Sequence, residues 1–318
     1  VTYEEAEISK PITHGPIGSG LPNEIRITTD EVANIREITK NVYGFDPLGY
    51  TNSNVSIQEF TTVRLDYDLN DAHRLTVNYK EVYSSKLNGA NRSSSTMTFS
   101  SAEYQKGEVT ETTGMLLVSN WSDDFITEFS YSTKEQLTSQ MSPVGQGLPS
   151  FTINDCGAQG IRCNLGPDIF RSANQLATET TFTKLKGTYY MGNHKFTFGY
   201  ENKLWDIYNV FIEAQDGGYE FEGLANYQAQ IASSFEHQNS RDLSEQGGAA
   251  VFEYYLDSFY LQDEIDISEK LNVLVGVRYD EFDSDDSPAV NQGFVDTYGF
   301  ANGGIAGTNM INYRLSFD

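Results

Sequence analysis

Apolar and polar residues alternate with a period of two along much of this chain, and the alternating runs come in pairs. The clearest run sets Leu271, Val273, Val275, Val277 and Tyr279 against Asn272, Leu274, Gly276, Arg278 and Asp280. Successive side chains of a strand point to opposite faces, so the run predicts a strand with one apolar face. Its partner runs through Phe259, Leu261, Ile265 and Ile267, with Asp263 breaking the apolar face and Ser268-Glu269-Lys270 as the turn. Three more hairpins follow the same pattern. Val63, Leu65, Tyr67 and Leu69 turn at Asn70-Asp71-Ala72 into Leu75, Val77 and Tyr79. Met115, Leu117 and Trp121 turn at Ser122-Asp123-Asp124 into Phe125, Phe129 and Tyr131. Phe182, Leu185, Tyr189 and Met191 turn at Gly192-Asn193 into Phe196, Phe198 and Tyr200.

The turns inside the hairpins are short, whereas the hairpins are joined by connections of roughly twenty to forty residues, long for a compact soluble domain. Short turns at one end and long loops at the other are the build of an outer-membrane β-barrel. Aromatic residues near the strand ends (Tyr67, Tyr79, Trp121, Phe125, Tyr131, Tyr189 and Tyr279) suit the membrane interfaces, where a ring can be apolar at one end and wet at the other. A weak repeat supports the pattern. His73-Arg74-Leu75-Thr76-Val77-Asn78-Tyr79 is similar to His194-Lys195-Phe196-Thr197-Phe198-Gly199-Tyr200, each beginning just after a turn. Those histidines could serve a metal or a proton, but a turn residue at the polar interface is the plainer assignment.

The chain has 318 residues, enough for one large all-β domain. No run reaches the roughly 18 apolar residues of a membrane helix. A formal charge of -24 excludes a nucleic-acid partner, whose phosphates need a basic footprint, and excludes a basic patch docking on an anionic membrane. The start, Val1-Thr2-Tyr3-Glu4-Glu5, is no signal peptide. Val1 to Ile8 looks like a strand, and Tyr313 to Asp318 like the start of another. The expectation is therefore a slice that opens and closes inside a barrel, with unpaired edges that would not be stable alone. Cys156 and Cys163, with six residues between them, two of which are glycines, predict a small disulfide loop in an oxidising compartment. A zinc site there lacks two further ligands.

The first long loop, 10–58, holds a predicted helix. Thr28 and Glu31 make a capping box, and Val32, Ile35 and Ile38 recur at helical spacing. A second helix is expected in the 214–247 loop, with Leu224, Tyr227, Ile231 and Phe235 on one stripe. These helices cover the barrel mouth or meet a ligand; Tyr43, Phe45, Tyr219, Phe221 and Tyr227 are the candidate ligand contacts. The acidic run Asp280, Glu281, Asp283, Asp285 and Asp286 offers calcium-type oxygen ligands, with Asp283, Asp285 and Asp286 as the weak candidates. The spacing is not that of an EF-hand, and a solvated acidic loop is the alternative. No hydrolase elbow, zinc-protease motif, phosphate loop or dinucleotide fingerprint is present, and nothing calls for a cofactor or an enzyme.

The stretch Tyr260-Leu261-Gln262-Asp263-Glu264-Ile265, then Leu271-Asn272-Val273, then Gly276-Val277-Arg278-Tyr279-Asp280 resembles the barrel motif of TonB-dependent outer-membrane receptors. Tyr43-Gly44-Phe45-Asp46-Pro47, the hairpin from Leu65 to Leu75 and the stretch from His194 to Tyr200 resemble the Oar-like branch of that family. The resemblance implies an all-β fold: a partial transmembrane antiparallel barrel, about ten strands of some 22, with long extracellular loops carrying short helices. Residues 1–318 would be one segment of the barrel domain, without the N-terminal plug or the C-terminal strands. It further implies a Gram-negative outer membrane, contact with its lipid, and energised uptake of an unidentified extracellular ligand. Coupling to the TonB complex would run through the missing plug. The alternative from another class is an outer-membrane adhesion or binding protein without transport. A soluble β-sandwich hydrolase is a third reading, since a sandwich also buries one face of each strand.

Overall fold

The structure, a computed structural model, describes every residue except Ala90, Asn91, Ile305 and Asp318. Asp318, the last residue of the expected closing strand, thus lies outside the described residues.

Ten long strands form one sheet in which each strand pairs antiparallel with the next. They are β1 (Thr2–Pro11), β2 (Ser53–Asn70), β3 (His73–Asn88), β4 (Tyr104–Ser122) and β5 (Phe125–Met141). Then come β6 (Ala173–Met191), β7 (His194–Ile212), β8 (Ala249–Ser268), β9 (Leu271–Asp283) and β10 (Thr308–Phe317). All four expected hairpins are present, as β2–β3, β4–β5, β6–β7 and β8–β9. The strands are longer than the alternation suggested. β7 has 19 residues and β8 has 20, about twice the 9–11 that a tilted strand needs to cross a bilayer. On the lipid side of β2 the apolar run is broken at Glu59 and Thr61, which separates Val55 and Ile57, in the part assigned to the first loop, from the alternating run below.

Register fixes which side chains share a face. Leu65 lies opposite Val77, Val77 opposite Met115, and Met115 opposite Tyr131. Across the other hairpins, Leu185 is opposite Tyr200, Tyr200 opposite Phe259, and Phe259 opposite Tyr279. This apolar face lies open: Leu65 is 66% exposed and Leu261 52%. Lipid is the solvent that such a surface suits. Phe182, grouped above with Leu185, stands on the opposite face, where the Lys203 ammonium sits 5.5 Å from its ring centre. Asp263, which broke the apolar run, finds its partner on the same face: the His194 imidazole Nδ1 donates to its carboxylate at 2.8 Å. His73 lies against Trp121, 5.0 Å between ring centres. Both histidines are turn-flanking residues.

Charge divides between the faces. Every lysine and arginine within the ten strands points away from the lipid side, Arg64, Lys134, Lys195 and Arg278 among them. On the lipid side, Glu81, Glu111, Glu135, Glu179, Asp206 and Glu253 lie opposite one another in a row across six neighbouring strands. Carboxylates are costly in hydrocarbon, so this row marks the upper limit of the apolar band. Interface tyrosines reach toward the carboxylates at that level, Tyr79 donating its hydroxyl to Glu81 at 2.8 Å and Tyr279 to Glu281 at 3.1 Å.

The two faces give a direct test. Val275→Arg, in the middle of the β9 apolar band, should destabilise the folded barrel by about 2–4 kcal/mol. Leu274→Arg, one residue away on the polar side, should cost far less. Urea titrations of the refolded full-length protein in lipid vesicles would measure both, and equal losses would overturn the face assignment.

Candidate functional site

At the end opposite the short turns, four loops fold together into a dome with its own core. The loop 12–52 supplies α1 (Thr29–Tyr43). Thr28 caps it: its side chain accepts from Glu31 N–H, and the Glu31 carboxylate accepts from Thr28 N–H at 2.8 Å. Gly44 ends it at φ 77°, a left-handed conformation that glycine adopts without penalty. Val32, Ile35 and Ile38 face inward, as their spacing required.

Three other loops contribute short strands to a five-stranded mixed sheet. The loop 89–103 gives Thr96–Thr98, the loop 142–172 gives Ser150–Asn154 and Arg162–Leu165, and the loop 213–248 gives Gly218–Glu222 and Ser234–Glu236. The joins between separate loops are parallel: Gly218–Glu222 beside Ser150–Asn154, and Arg162–Leu165 beside Thr96–Thr98. The dome core contains Ile25, Ile27, Ile35, Met97, Phe99, Phe151, Ile153, Leu165, Phe221 and Tyr227, all buried. Cys156 and Cys163 form a disulfide inside it. Closing so short a loop is worth about 2–3 kcal/mol in the chain-entropy picture. Reduction, or Cys156→Ser with Cys163→Ser, should therefore speed proteolysis within 150–165 while leaving the barrel strands protected. A dome equally resistant when reduced would refute this.

The expected second helix is only α2 (Leu224–Gln228). Gln230 takes φ 59°, which ends helical winding, so Ile231 leaves the stripe and Phe235 enters a strand, packing on Tyr219 at 4.7 Å. The structure brings the five candidate ligand aromatics together, but around a residue that the sequence did not single out. Phe151 touches all of them, with ring centres at 4.7 Å from Tyr43, 5.8 Å from Phe45, 5.9 Å from Tyr219 and Tyr227, and 6.2 Å from Phe221. Phe221 and Tyr227 are closed off from solvent, and Tyr43, Phe45 and Tyr219 are half-buried against them. In this arrangement they are the packing of a core, not the lining of a cleft. Tyr43 donates its hydroxyl to the Tyr227 carbonyl at 2.6 Å, and Thr39 bonds the Tyr227 hydroxyl at 2.9 Å. Burial pushes the Tyr43 phenol up to about 12 and raises that of Tyr227, so both stay neutral donors. The Phe-Thr-Ile alternation at 151–153 was the available signal for Phe151.

Asp283, Asp285 and Asp286 do not form the calcium cluster considered above. Asp286 accepts from Glu253 N–H at 2.8 Å and Asp283 from Ser284 N–H at 2.9 Å. Among the described residues no group of three or more metal-binding side chains converges anywhere.

Two ionic devices hold the dome. Arg36 grips Asp46 through two bonds of 2.7 Å, tying α1 to the turn after it. The bonded guanidinium holds the Asp46 carboxyl down to about 2, below its ordinary 3.8. Stability from this pair is therefore present above the unfolded value and lost as pH falls through about 2. Both groups are about a third or more exposed, so the pair is worth about 0.5–1 kcal/mol at most. The aromatic near-UV signal of the dome should hold from pH 8 to 5 and begin to loosen only between about 4 and 2. A Asp46→Asn variant should lack that component. The second device is Arg92–Glu103, an ion pair at 3.0 Å with side chains 0% and 1% exposed.

Below the dome, the polar face of the wall carries a network. Arg278 bonds Glu201 at 3.1 Å and Asp280 at 2.8 Å, Lys184 lies 3.7 Å from Glu201, and Lys186 bonds Glu128 at 2.8 Å. Tyr260 and Gln262 complete a hollow of about 430 Å³ there.

No curated protein sequence matches the chain. The crystal structure of the outer membrane transporter YddB from Escherichia coli aligns at TM-score 0.52 and 14% identity, over 74% of this chain and 29% of YddB. The ferric-catecholate import receptor Fiu of E. coli K12 aligns at 0.45 and 14%, over 83% and 40%. The ferric preacinetobactin receptor BauA of Acinetobacter baumannii aligns at 0.42 and 11%, over 83% and 37%. The chain thus spans well under half the length of these proteins, and the YddB alignment shows a shared fold. A family profile described as outer membrane beta barrel domain matches residues 27–310. With its lipid-facing strands, short turns and long loops, the chain belongs to the outer membrane β-barrel domain family.

Proposed function

We propose that the chain is part of a TonB-dependent receptor that binds an extracellular ligand at its loop end and passes it inward by energised uptake. The observation that carries this reading is the union of four loops into one packed dome, set above a wall whose inner face is polar and ion-paired. Loops that served only as connections would need no common core. A plug outside this chain would make the contact with TonB. Uptake of labelled iron chelates, cobalamin, oligosaccharides and peptides by cells expressing the full-length protein, with and without TonB, tests it. One class should accumulate only when TonB is present; TonB-independent accumulation, or none for any class, would overturn the reading.

Adhesion without transport has one observation in its favour. Phe294, Tyr298 and Phe300 of the last loop pack on one another, 4.7 Å and 5.3 Å from the Phe294 ring, yet Tyr298 is 63% exposed and Phe300 62%. Tyr298→Ser with Phe300→Ser would weaken cell attachment and spare uptake if those rings meet a surface.

A further inference from the structure

The basic residues of the inner face are not all paired. Lower on the wall, Lys186, Lys195 and Arg278 each meet a carboxylate. At the loop end of β1–β4 the pattern changes. Lys86 of β3 stands directly opposite Lys106 of β4. Directly opposed side chains on one face start about 4.5–5.5 Å apart at Cβ, and like charges there repel. Lys10 of β1 lies on the same face, opposite Asn54 on the strand beside β3. Lys10 and Lys86 line one hollow of about 340 Å³ with His14 and Arg92, and Lys86 and Lys106 line another of about 230 Å³.

Counter-charge is scarce. Arg92 is occupied by Glu103 and the Thr98 carbonyl. Glu108 is the one carboxylate lining either hollow among the described residues, and Gln136 donates to it at 3.2 Å. Lys10, Lys86 and Lys106 have neither an ion pair nor a side-chain hydrogen bond among the described residues. In a chain of net charge -24, with carboxylates in excess, these three neighbouring ammonium groups have one carboxylate, Glu108, among the residues lining their hollows. The opposed pair is unfavourable until an anion sits between its members.

We propose that Lys10, Lys86 and Lys106 form a docking site on the inner wall, at the base of the dome, for a small molecule bearing two or more carboxylate or phosphate groups. The inference rests on the barrel being a passage for ligand, and names the chemistry of what enters. A single exposed ammonium–carboxylate contact is worth little, but several ammonium groups converging on one polyanion act together.

Equilibrium binding of labelled citrate and labelled pyrophosphate to the purified full-length receptor, in metal-free buffer of low ionic strength, tests the proposal. At least one anion should bind saturably, weaken with added salt, and bind at least about tenfold more weakly to K86Q/K106Q. Which of the two binds separates carboxylate from phosphate chemistry. The double variant should melt no lower than the parent, because a like-charge pair is relieved. Failure of both anions to bind the parent, equal binding to the variant, or a variant melting several degrees lower would each overturn the proposal. The assay needs no energised membrane. Intact binding with no uptake would therefore count against transport alone, and TonB-dependent uptake unaffected by K86Q/K106Q, with no anion binding, against this site alone.

Discussion

Arg92→Met should destabilise the dome by about 3–5 kcal/mol, a large share of what holds a small folded unit together. The guanidinium is fully buried and makes bonds in three directions. Nε donates to the Thr98 carbonyl at 3.2 Å, Nη1 donates to the Thr51 carbonyl, and Nη2 donates to Glu103 at 3.0 Å. Thr51 in turn donates its hydroxyl to Glu103 at 2.8 Å. The group therefore joins the end of the first loop to the second loop, where both leave the barrel. Burial draws the guanidinium below its ordinary pKa, and the adjacent Glu103 carboxylate pushes it back up. Methionine would leave Glu103 buried without its cation, which is the expensive state. Arg92→Met with Glu103→Met removes both charges and should recover roughly half the loss, the remainder reflecting carbonyls that lose a donor at about 1 kcal/mol each. Hydrogen exchange of residues 96–103 and 150–165 in the full-length protein measures the effect. A single variant that loses less than about 1 kcal/mol would show that water relieves Glu103 and that the pair is not a latch.

The sheet was legible and the dome largely was not, for one physical reason. Alternation within a strand is local: Leu271 to Tyr279 declares its two faces without reference to any other segment. Each hairpin partner follows within a few residues, so the pairing is local too. The dome depends on parallel pairing between segments such as 150–154 and 218–222, which lie in different loops, and three to five residues are too few to show a period. Only α1 and the Cys156–Cys163 disulfide announced themselves, because capping box and apolar spacing, like the two cysteines, each sit within one stretch. The aromatic candidates were chosen for residue type and loop position, which do not distinguish a ring that meets ligand from one that meets another ring. The lysines of the inner face were likewise visible singly. Their convergence depends on register between strands, which composition does not contain.

Phe151→Ala should cost about 3–5 kcal/mol, again confined to the dome. The ring is 3% exposed and stands at the centre of five others. Removing it opens a cavity that Tyr43 and Tyr227 cannot fill without giving up their hydrogen bonds to each other and to Thr39. The barrel should not feel the loss, because its strands are held by neighbouring strands and by lipid. Amide exchange is then expected to rise in 150–154, 162–165 and 218–222 and to stay unchanged in β4 to β9; a rise in both would show that dome and barrel fold as one unit. The same variant separates two ways in which the loop end could serve uptake. If the dome captures ligand as one rigid surface, uptake falls with its order and the loss appears as a higher KM. If capture belongs to the lysines of the wall, a loosened dome leaves affinity intact and uptake persists. In that case the packed core serves to keep the loops clear of the passage.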